Sequence, residues 1–371
     1  MRLVYLSPVP WASFAQRPHK FVEWFHFKYQ AEVLWVDPYP TRLPALEDLR
    51  RIRGKGIKPA LEIAKSKPAW LNLICPRSLP VEPLPGSGAV NGLLWCNVFK
   101  VIRQFLSGGE VLIGIGKPSE LALQVLRRHP DEHSFYDVMD DFPAFYTGLS
   151  RSAMRQREER IVSAVSRLIV SSTTLAHRFA SFSEKMSVVH NACAVDLLPE
   201  IGDIQKKSRI PVLGYVGTIG QWFDWTLVLK LANELPLAKI RLVGPVYVLP
   251  EEPLPKNIEL LPPCDHETAL IAMKEFNAGL IPFCINDLTA SVDPIKYYEY
   301  MSLGLPVIST RFGEMAMRDN QSGVFIADTY SDFVGMVRAA LVHEFNSEEV
   351  QTFRIENSWS ARFDGCGIID E

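Results

Sequence analysis

Residues 293–310 read DPIKYYEYMSLGLPVIST, and this stretch decides the reading of the fold. Asp293 is a residue type that caps a helix, and Pro294 has the φ preset for a first turn. Lys296 and Glu299 are three apart and so share a helix face. Gly304 ends the helix, and PVIST (306–310) then reads as a buried strand. A helix N-terminus carries positive partial charge, and Lys296 adds a full one. Together they suit a diphosphate. Glu299, one turn deeper, can accept hydrogen bonds from two ribose hydroxyls. Taken alone, the pair reads equally well as a surface ion pair. The surrounding order of residues tips the balance towards a site.

Working outward, short apolar runs alternate with helical segments. RLVYL (2–6) is a strand, a helix runs from about Arg17 to Tyr29, and EVLWV (32–36) is the next strand. EVLIGI (110–115), SFYDVM (134–139), RLIVS (167–171) and MSVVH (186–190) are strands, with helices over 118–128, 151–165 and 173–182. The polar stretch from Glu200 to Arg209 has linker composition. After it, VLGYV (212–216), KIRLVG (239–244), NIELL (257–261), AGLIPF (278–283), PVIST and GVFIA (323–327) alternate with further helices. This pattern predicts an α/β chain with parallel sheets. It predicts two Rossmann-like domains, 1–205 and 206–345, and an amphipathic tail over 346–371. Chemistry is expected in the cleft between them, at the carboxyl ends of the strands.

Composition narrows the function classes. The chain has 371 residues, 47% hydrophobic and 22% charged, with formal charge −3. That excludes a disordered chain and gives no global argument for nucleic-acid binding. No apolar run approaches the ~18 residues of a membrane span, and MRLVYLSPVP lacks the features of a signal peptide. Six scattered cysteines without a C-x-x-C point away from zinc and disulfides and towards a reducing cytoplasm.

Further segments carry candidate chemistry. GYVGTIGQWFD (214–224) is a strand entering a glycine-rich turn, where Gly217 and Gly220 let amides approach an anion. YDVMDDFPAF (136–145) ends a strand in carboxylates. A carboxylate there can take a proton from an acceptor hydroxyl, with Asp140 the first candidate and Asp137 the second. Helix capping by Asp140 or Asp141 is the competing reading. In SPVPWASFAQRPHKF (7–21), Arg17 and His19 sit where a first-strand loop faces the cleft and can contact an acceptor. Residues 50–74 are basic at first, with Arg50, Arg51, Arg53, Lys55, Lys58, Lys65 and Lys67, and end on Trp70, Leu71 and Leu73. Such a stretch suits an anionic membrane surface or a solvated charged helix.

In this order, these segments resemble GT-B fold glycosyltransferases, in particular the bacterial family 4-like group that builds surface polysaccharides of the teichuronic-acid type. The resemblance rests on the G-T-I-G turn, Leu242–Val243–Gly244–Pro245, Pro282–Phe283 and the D-P-x-K-x-x-E-Y block. It covers most of the second half and, more loosely, 7–21 and 136–145. It implies a GT-B architecture whose C-terminal helix, around Ser358 and Trp359, crosses back to the first domain. It implies a nucleotide-diphosphate sugar as donor, with Gly217, Thr218 and Ile219 near the diphosphate. Lys296, with Tyr297 beside it, would neutralise the departing group, and Glu299 would hold the ribose. It implies a glycan or lipid-linked glycan acceptor, no metal and no separate cofactor. The expected location is cytoplasmic, with peripheral contact on the inner face of the membrane. In the family's E-x7-E pattern the first position here is Ser291, and Trp222, Phe223 and Asp224 stand where a lysine is usual. Inversion or retention stays open.

Two other readings compete. GIGKPS (114–119) follows a strand and opens a helix, with Asp137 about 20 residues on, as in an NAD-dependent oxidoreductase. A GT-B nucleotide-sugar epimerase would use the same donor without an acceptor. A periplasmic sugar-binding module would call for an export signal.

Overall fold

The computed structural model describes residues 1–13, 15–41, 43, 67–201 and 210–369. The basic stretch over 50–66 and linker residues 202–209 lie outside the described residues, so the expected membrane contact through 50–74 is seen only from Lys67 onward.

The chain divides into two compact units. The first is Met1–Val189 with Phe363–Glu371, and the second is His190–Arg362. In the first unit the strands are β1 (Arg2–Leu6), β2 (Glu32–Val36), β3 (Leu71–Ile74), β4 (Val111–Ile115), β5 (His133–Val138), β6 (Arg167–Val170) and β7 (Met186–Val188). They form one parallel sheet in the order β3-β2-β1-β4-β5-β6-β7. Its helices are α1 (Arg17–Tyr29), α2 (Ser87–Leu94), α3 (Cys96–Leu106), α4 (Glu120–Arg128), α5 (Gly148–Ala164) and α6 (Thr173–Arg178). Strands such as VLIGI are buried throughout, as a sheet covered on both faces requires. An aromatic cluster of Tyr5, Phe21, Trp35 and Phe135 fills one face. Phe363, from the far end of the chain, meets Phe21 edge-on at 5.2 Å, and Asp364 accepts from Trp24 Nε1 at 3.0 Å.

The second unit holds β8 (Val212–Val216), β9 (Lys239–Val243), β10 (Ile258–Leu261), β11 (Ala278–Ile281), β12 (Val307–Thr310) and β13 (Val324–Ala327). They too form one parallel sheet, in the order β10-β9-β8-β11-β12-β13. Its helices are α7 (Trp225–Glu234), α8 (His266–Lys274), α9 (Ile295–Ser302), α10 (Tyr330–Val342), α11 (Ser347–Glu356) and α12 (Trp359–Asp364), the last ending in the first unit. Residues 190–199 group with this unit because they bond to its helices. The Asn191 amide donates to Asp293 at 2.7 Å, Cys193 N–H donates to the Asn357 carbonyl at 3.1 Å, and Arg354 donates to the Pro199 carbonyl at 2.8 Å.

Both sheets reverse strand order beside their first strand, between β1 and β4 and between β8 and β11. Ligands of such sheets bind at the carboxyl ends next to that reversal. In the second sheet, Tyr300 locks α9 to this point. Its ring packs where a side chain at Gly279 of β11 would stand, and its hydroxyl accepts from Val216 N–H at the end of β8, at 3.2 Å. Gly279→Ala is therefore expected to force the ring off and to cost ~1–3 kcal/mol, read as a lower urea midpoint with an unchanged m-value.

Candidate functional site

Lys296 and Glu299 stand one turn apart on α9, with Lys296 Nζ 2.5 Å from Glu299 Oε2. The other oxygen is taken as well. His266 Nε2, at the first position of α8, lies 2.9 Å from Oε1. Glu299 is buried, whereas Lys296 and His266 keep 22% and 36% of their side chains exposed. Burial alone would raise the Glu299 carboxyl. The Lys296 charge and the His266 hydrogen bond outweigh it and bring the carboxyl down to about 2. His266 is not marked by any sequence motif; its one signal is its place just past the end of β10.

No side chain caps α9. The residue before the helix is Pro294. The expected cap, Asp293, is instead buried and accepts from Arg318 at 2.7 Å, from the Tyr298 hydroxyl at 2.9 Å and from Asn191 N–H at 2.7 Å. The buried Arg318 guanidinium needs a counter-charge, and that need outranks a cap. Tyr297 N–H donates to the Pro294 carbonyl at 3.1 Å, and among the described residues the amides of Ile295 and Lys296, at the start of α9, have no acceptor. Tyr297 turns away from this cluster: its hydroxyl donates to Gln321 at 2.5 Å and its ring lies under Arg318.

The turn after β8 lies at the same edge. Gly217 has φ 153°, and a Cβ on the facing Gly244 would overlap the Gly217 carbonyl, so glycine lets the two strand ends meet. Gly217 N–H donates to Val243 and Ile219 N–H to Pro245, both at 2.9 Å. Among the described residues the amides of Thr218 and Gly220 have no acceptor within the chain. Ile219 is buried in the core. Asp224 caps α7 through Leu227 N–H at 2.9 Å.

In the first unit, Asp137 and Arg17 come together and satisfy each other. Arg17 Nε lies 3.0 Å from both Asp137 oxygens, and a second Arg17 nitrogen donates to the Val189 carbonyl at 2.7 Å. Both residues are buried. His19 is also buried, held between Gln16 N–H at 3.3 Å and the Trp11 carbonyl at 3.1 Å. Asp140 lies two residues past β5 and is half-buried. Its carboxylate has no hydrogen bond or ion pair among the described residues. Burial pushes it up to about 7; Arg17 works against the rise, and Asp137 and Asp141 add to it. Asp141 pairs with Arg178 at 2.7 Å and caps nothing with its side chain.

The turn GIGKPS leads into α4, and here the helix N-terminus is closed. Glu120 N–H donates to buried Glu82 at 2.8 Å, Leu121 N–H to the Tyr39 hydroxyl at 3.1 Å and Ala122 N–H to Ser119 Oγ at 3.1 Å. A carboxylate of the protein occupies the place a dinucleotide diphosphate would need. Among the described residues no group of three or more His, Cys, Asp or Glu is placed to hold a metal ion.

No protein-family model matches this sequence. No curated protein matches it either. Solved structures do share its fold. HepE of Anabaena, in complex with UDP, is 13% identical over 98% of this chain and 94% of that one, with TM-score 0.59. The catalytic domain of starch synthase IV from Arabidopsis thaliana, bound to ADP and acarbose, is 12% identical over 98% and 97%, with TM-score 0.64. A glycosyltransferase from Rickettsia africae is 9% identical over 98% and 96%, with TM-score 0.63. The chain is thus α/β with two parallel sheets, GT-B-like in fold.

Two pH effects follow. The lowered Glu299 carboxyl stabilises the fold fully above its ordinary value of 4.5, and that increment is lost as pH falls towards about 2. Glu299→Gln should cost roughly 1–3 kcal/mol at neutral pH, with the difference from wild type shrinking across that window in urea melts. Asp140 has the opposite sign. Its raised carboxyl destabilises the fold progressively from 3.8 to about 7. Asp140→Asn should melt higher than wild type above neutrality, and the two should converge in acid.

Proposed function

We propose that this chain is a glycosyltransferase. It moves a sugar from a nucleoside-diphosphate sugar to a hydroxyl of a glycan or lipid-linked glycan, in the building of surface polysaccharide. One observation carries the reading: an uncapped helix N-terminus with Lys296 on its first turn and the Glu299 carboxylate pinned beneath it. The nucleoside diphosphates named for the solved neighbours, UDP and ADP, support the choice of donor.

In this reading the donor diphosphate binds the open amides of α9 and those of Thr218 and Gly220, with Gly217 allowing close approach. Lys296 leaves Glu299 for the diphosphate. The freed oxygen of Glu299 accepts a ribose hydroxyl, while His266 holds the other. Ile219, buried in the core, backs the turn, and Tyr297 braces the first turn of α9 from the side of Gln321 and Arg318. Asp140 takes the proton of the acceptor hydroxyl as its oxygen bonds to the anomeric carbon. The bond from that carbon to the diphosphate breaks, and the electron pair leaves with the phosphate. A carboxyl near 7 is matched to that task at neutral pH. Asp137, Arg17 and His19 act from behind, with Arg17 and Asp137 held in their own buried ion pair. No step calls on a metal, since Lys296 and the amides meet the leaving charge. The described cysteines are free thiols, which suits the cytoplasm. The closed N-terminus of α4 speaks against the dinucleotide reading.

The test is a thermal-shift screen against UDP, GDP, dTDP, CMP and NAD, followed by turnover with the donor found. One nucleoside diphosphate is expected to raise Tm with concentration. Lys296→Ala is expected to abolish that shift and to cut turnover at saturating donor by ~10²-fold or more. A response to NAD alone overturns the reading, and unchanged turnover in Lys296→Ala overturns the donor site. Donor isomerised without acceptor would make the chain an epimerase.

A further inference from the structure

The Glu299 side chain keeps only 5% of its surface exposed, and among the described residues its carboxylate has two partners. Lys296 stands 2.5 Å from one oxygen and His266 2.9 Å from the other. The two partners differ in kind. A lysine at the surface is a permanent cation, whereas an imidazole changes charge around neutrality. While Lys296 balances the carboxylate, His266 need supply no more than a neutral N–H.

Donor binding as proposed above upsets this balance, and the inference rests on that reading. Lys296 turns to the diphosphate, and a ribose hydroxyl takes its place on Glu299. A hydroxyl donates a hydrogen bond but brings no charge. The carboxylate is then buried without its counter-charge, which is strongly unfavourable, and a proton relieves it. Two groups can receive that proton, Glu299 itself and His266. An imidazole is ordinarily a stronger base than a carboxylate by ~2 pH units, so the ring takes it. The charge then forms 2.9 Å from the carboxylate, on a side chain 36% exposed and so open to proton exchange with solvent.

The other groups beside the ring agree with this. Asp265 and Glu267, its neighbours in the chain, are exposed acids that favour the charged form. Desolvation and then Asp265 push the Cys264 thiol up, so it stays uncharged near neutrality. On the facing turn of α9 the one cation is Lys296, the group that turns away.

We propose that His266 is a positioning residue that replaces Lys296 as the counter-charge of Glu299 when donor binds, so that binding takes up a proton from solvent. The proton returns to solvent when the nucleoside diphosphate leaves and Lys296 resumes its place. Donor thus favours the charged ring. Affinity is highest at a pH where the ring is already charged in the free chain, and it falls as pH rises through the range in which the ring of the complex discharges.

The test is calorimetric titration with UDP-glucose, GDP-mannose and dTDP-glucose, whose diphosphates are diesters and do not titrate near neutrality. The donor that binds is measured from pH 6 to pH 8, and near pH 7 in both Pipes and Tris, whose different heats of ionisation reveal exchanged protons. Wild type is expected to bind roughly tenfold or more weakly at pH 8 than at pH 6. Its uptake near pH 7 should approach about one proton per donor. His266→Gln keeps a hydrogen-bond donor and cannot charge; it should take up none and bind at every pH as weakly as wild type does at pH 8. His266→Lys carries its charge throughout and should bind without pH dependence, near the wild-type level of pH 6. A merely bracing role for the ring predicts instead the same loss in both variants at every pH, and that result overturns the inference. It is overturned equally if wild type binds donor without proton uptake, or if His266→Gln keeps the uptake; in these cases donor still binds, and the donor site stands. If none of the three sugar nucleotides binds at any pH, the donor reading falls and the inference falls with it.

Discussion

Every helix that follows a parallel strand brings unsatisfied amides to the carboxyl edge of its sheet, and those amides must find acceptors. The way this constraint is met divides the chain into closed and open positions. At α4 three of its own side chains, Glu82, Tyr39 and Ser119, take the first three amides. At α9 the preceding residue is a proline with no side-chain acceptor, and the aspartate before it is committed elsewhere. Two similar strand–helix units therefore have opposite capacities for an anion. The difference lies in which nearby acceptors the rest of the fold supplies, since both turns look plausible as short motifs.

Buried arginines do much of this sorting. Arg17 claims Asp137, Arg318 claims Asp293 and Arg157 lies against Glu82, while the half-buried Arg178 reaches Glu158 and Asp141. A guanidinium out of water must have a counter-charge, and each pairing removes a carboxylate from the pool available for chemistry. Asp140 is passed over by all of them, and burial without a partner raises it to about 7. Glu299 is paired too, but with a lysine and a histidine that remain partly exposed. An exposed partner can exchange one contact for another, whereas a buried arginine cannot do so without leaving its own charge stranded.

Much of the architecture was legible because strands covered on both faces are written as short apolar runs. β8, β9, β11 and β12 lie within a residue or two of where those runs placed them. β3 escaped notice because it is an edge strand with one fully buried residue, Leu71. α2 carries two glycines and leaves no helical signal in the sequence; Glu120 and Gln124 of α4 pack where side chains at Gly88 and Gly92 would stand, and only tertiary structure supplies that reason. At the site, Lys296 and Glu299 were legible because helical spacing alone brings them together. Neither the 33 positions between His266 and Glu299 nor the 120 between Arg17 and Asp137 leave a local trace. The fate of Asp293 was misjudged for the same reason: Arg318 lies 25 positions downstream.

Phe363 completes the aromatic cluster around Phe21 after a long detour of the chain through the second unit. This has a consequence for biosynthesis. Domains emerging from a ribosome tend to fold in order, the N-terminal one first. Here the unit that begins first cannot close its core until the residues around Phe363 have been made. The second unit, His190–Arg362, has by then been translated in full. A nascent chain thus carries a nearly finished first unit with Phe21 and Trp24 still awaiting their last partners. A ribosome that stops short of residue 363 releases a protein whose defect lies at its beginning.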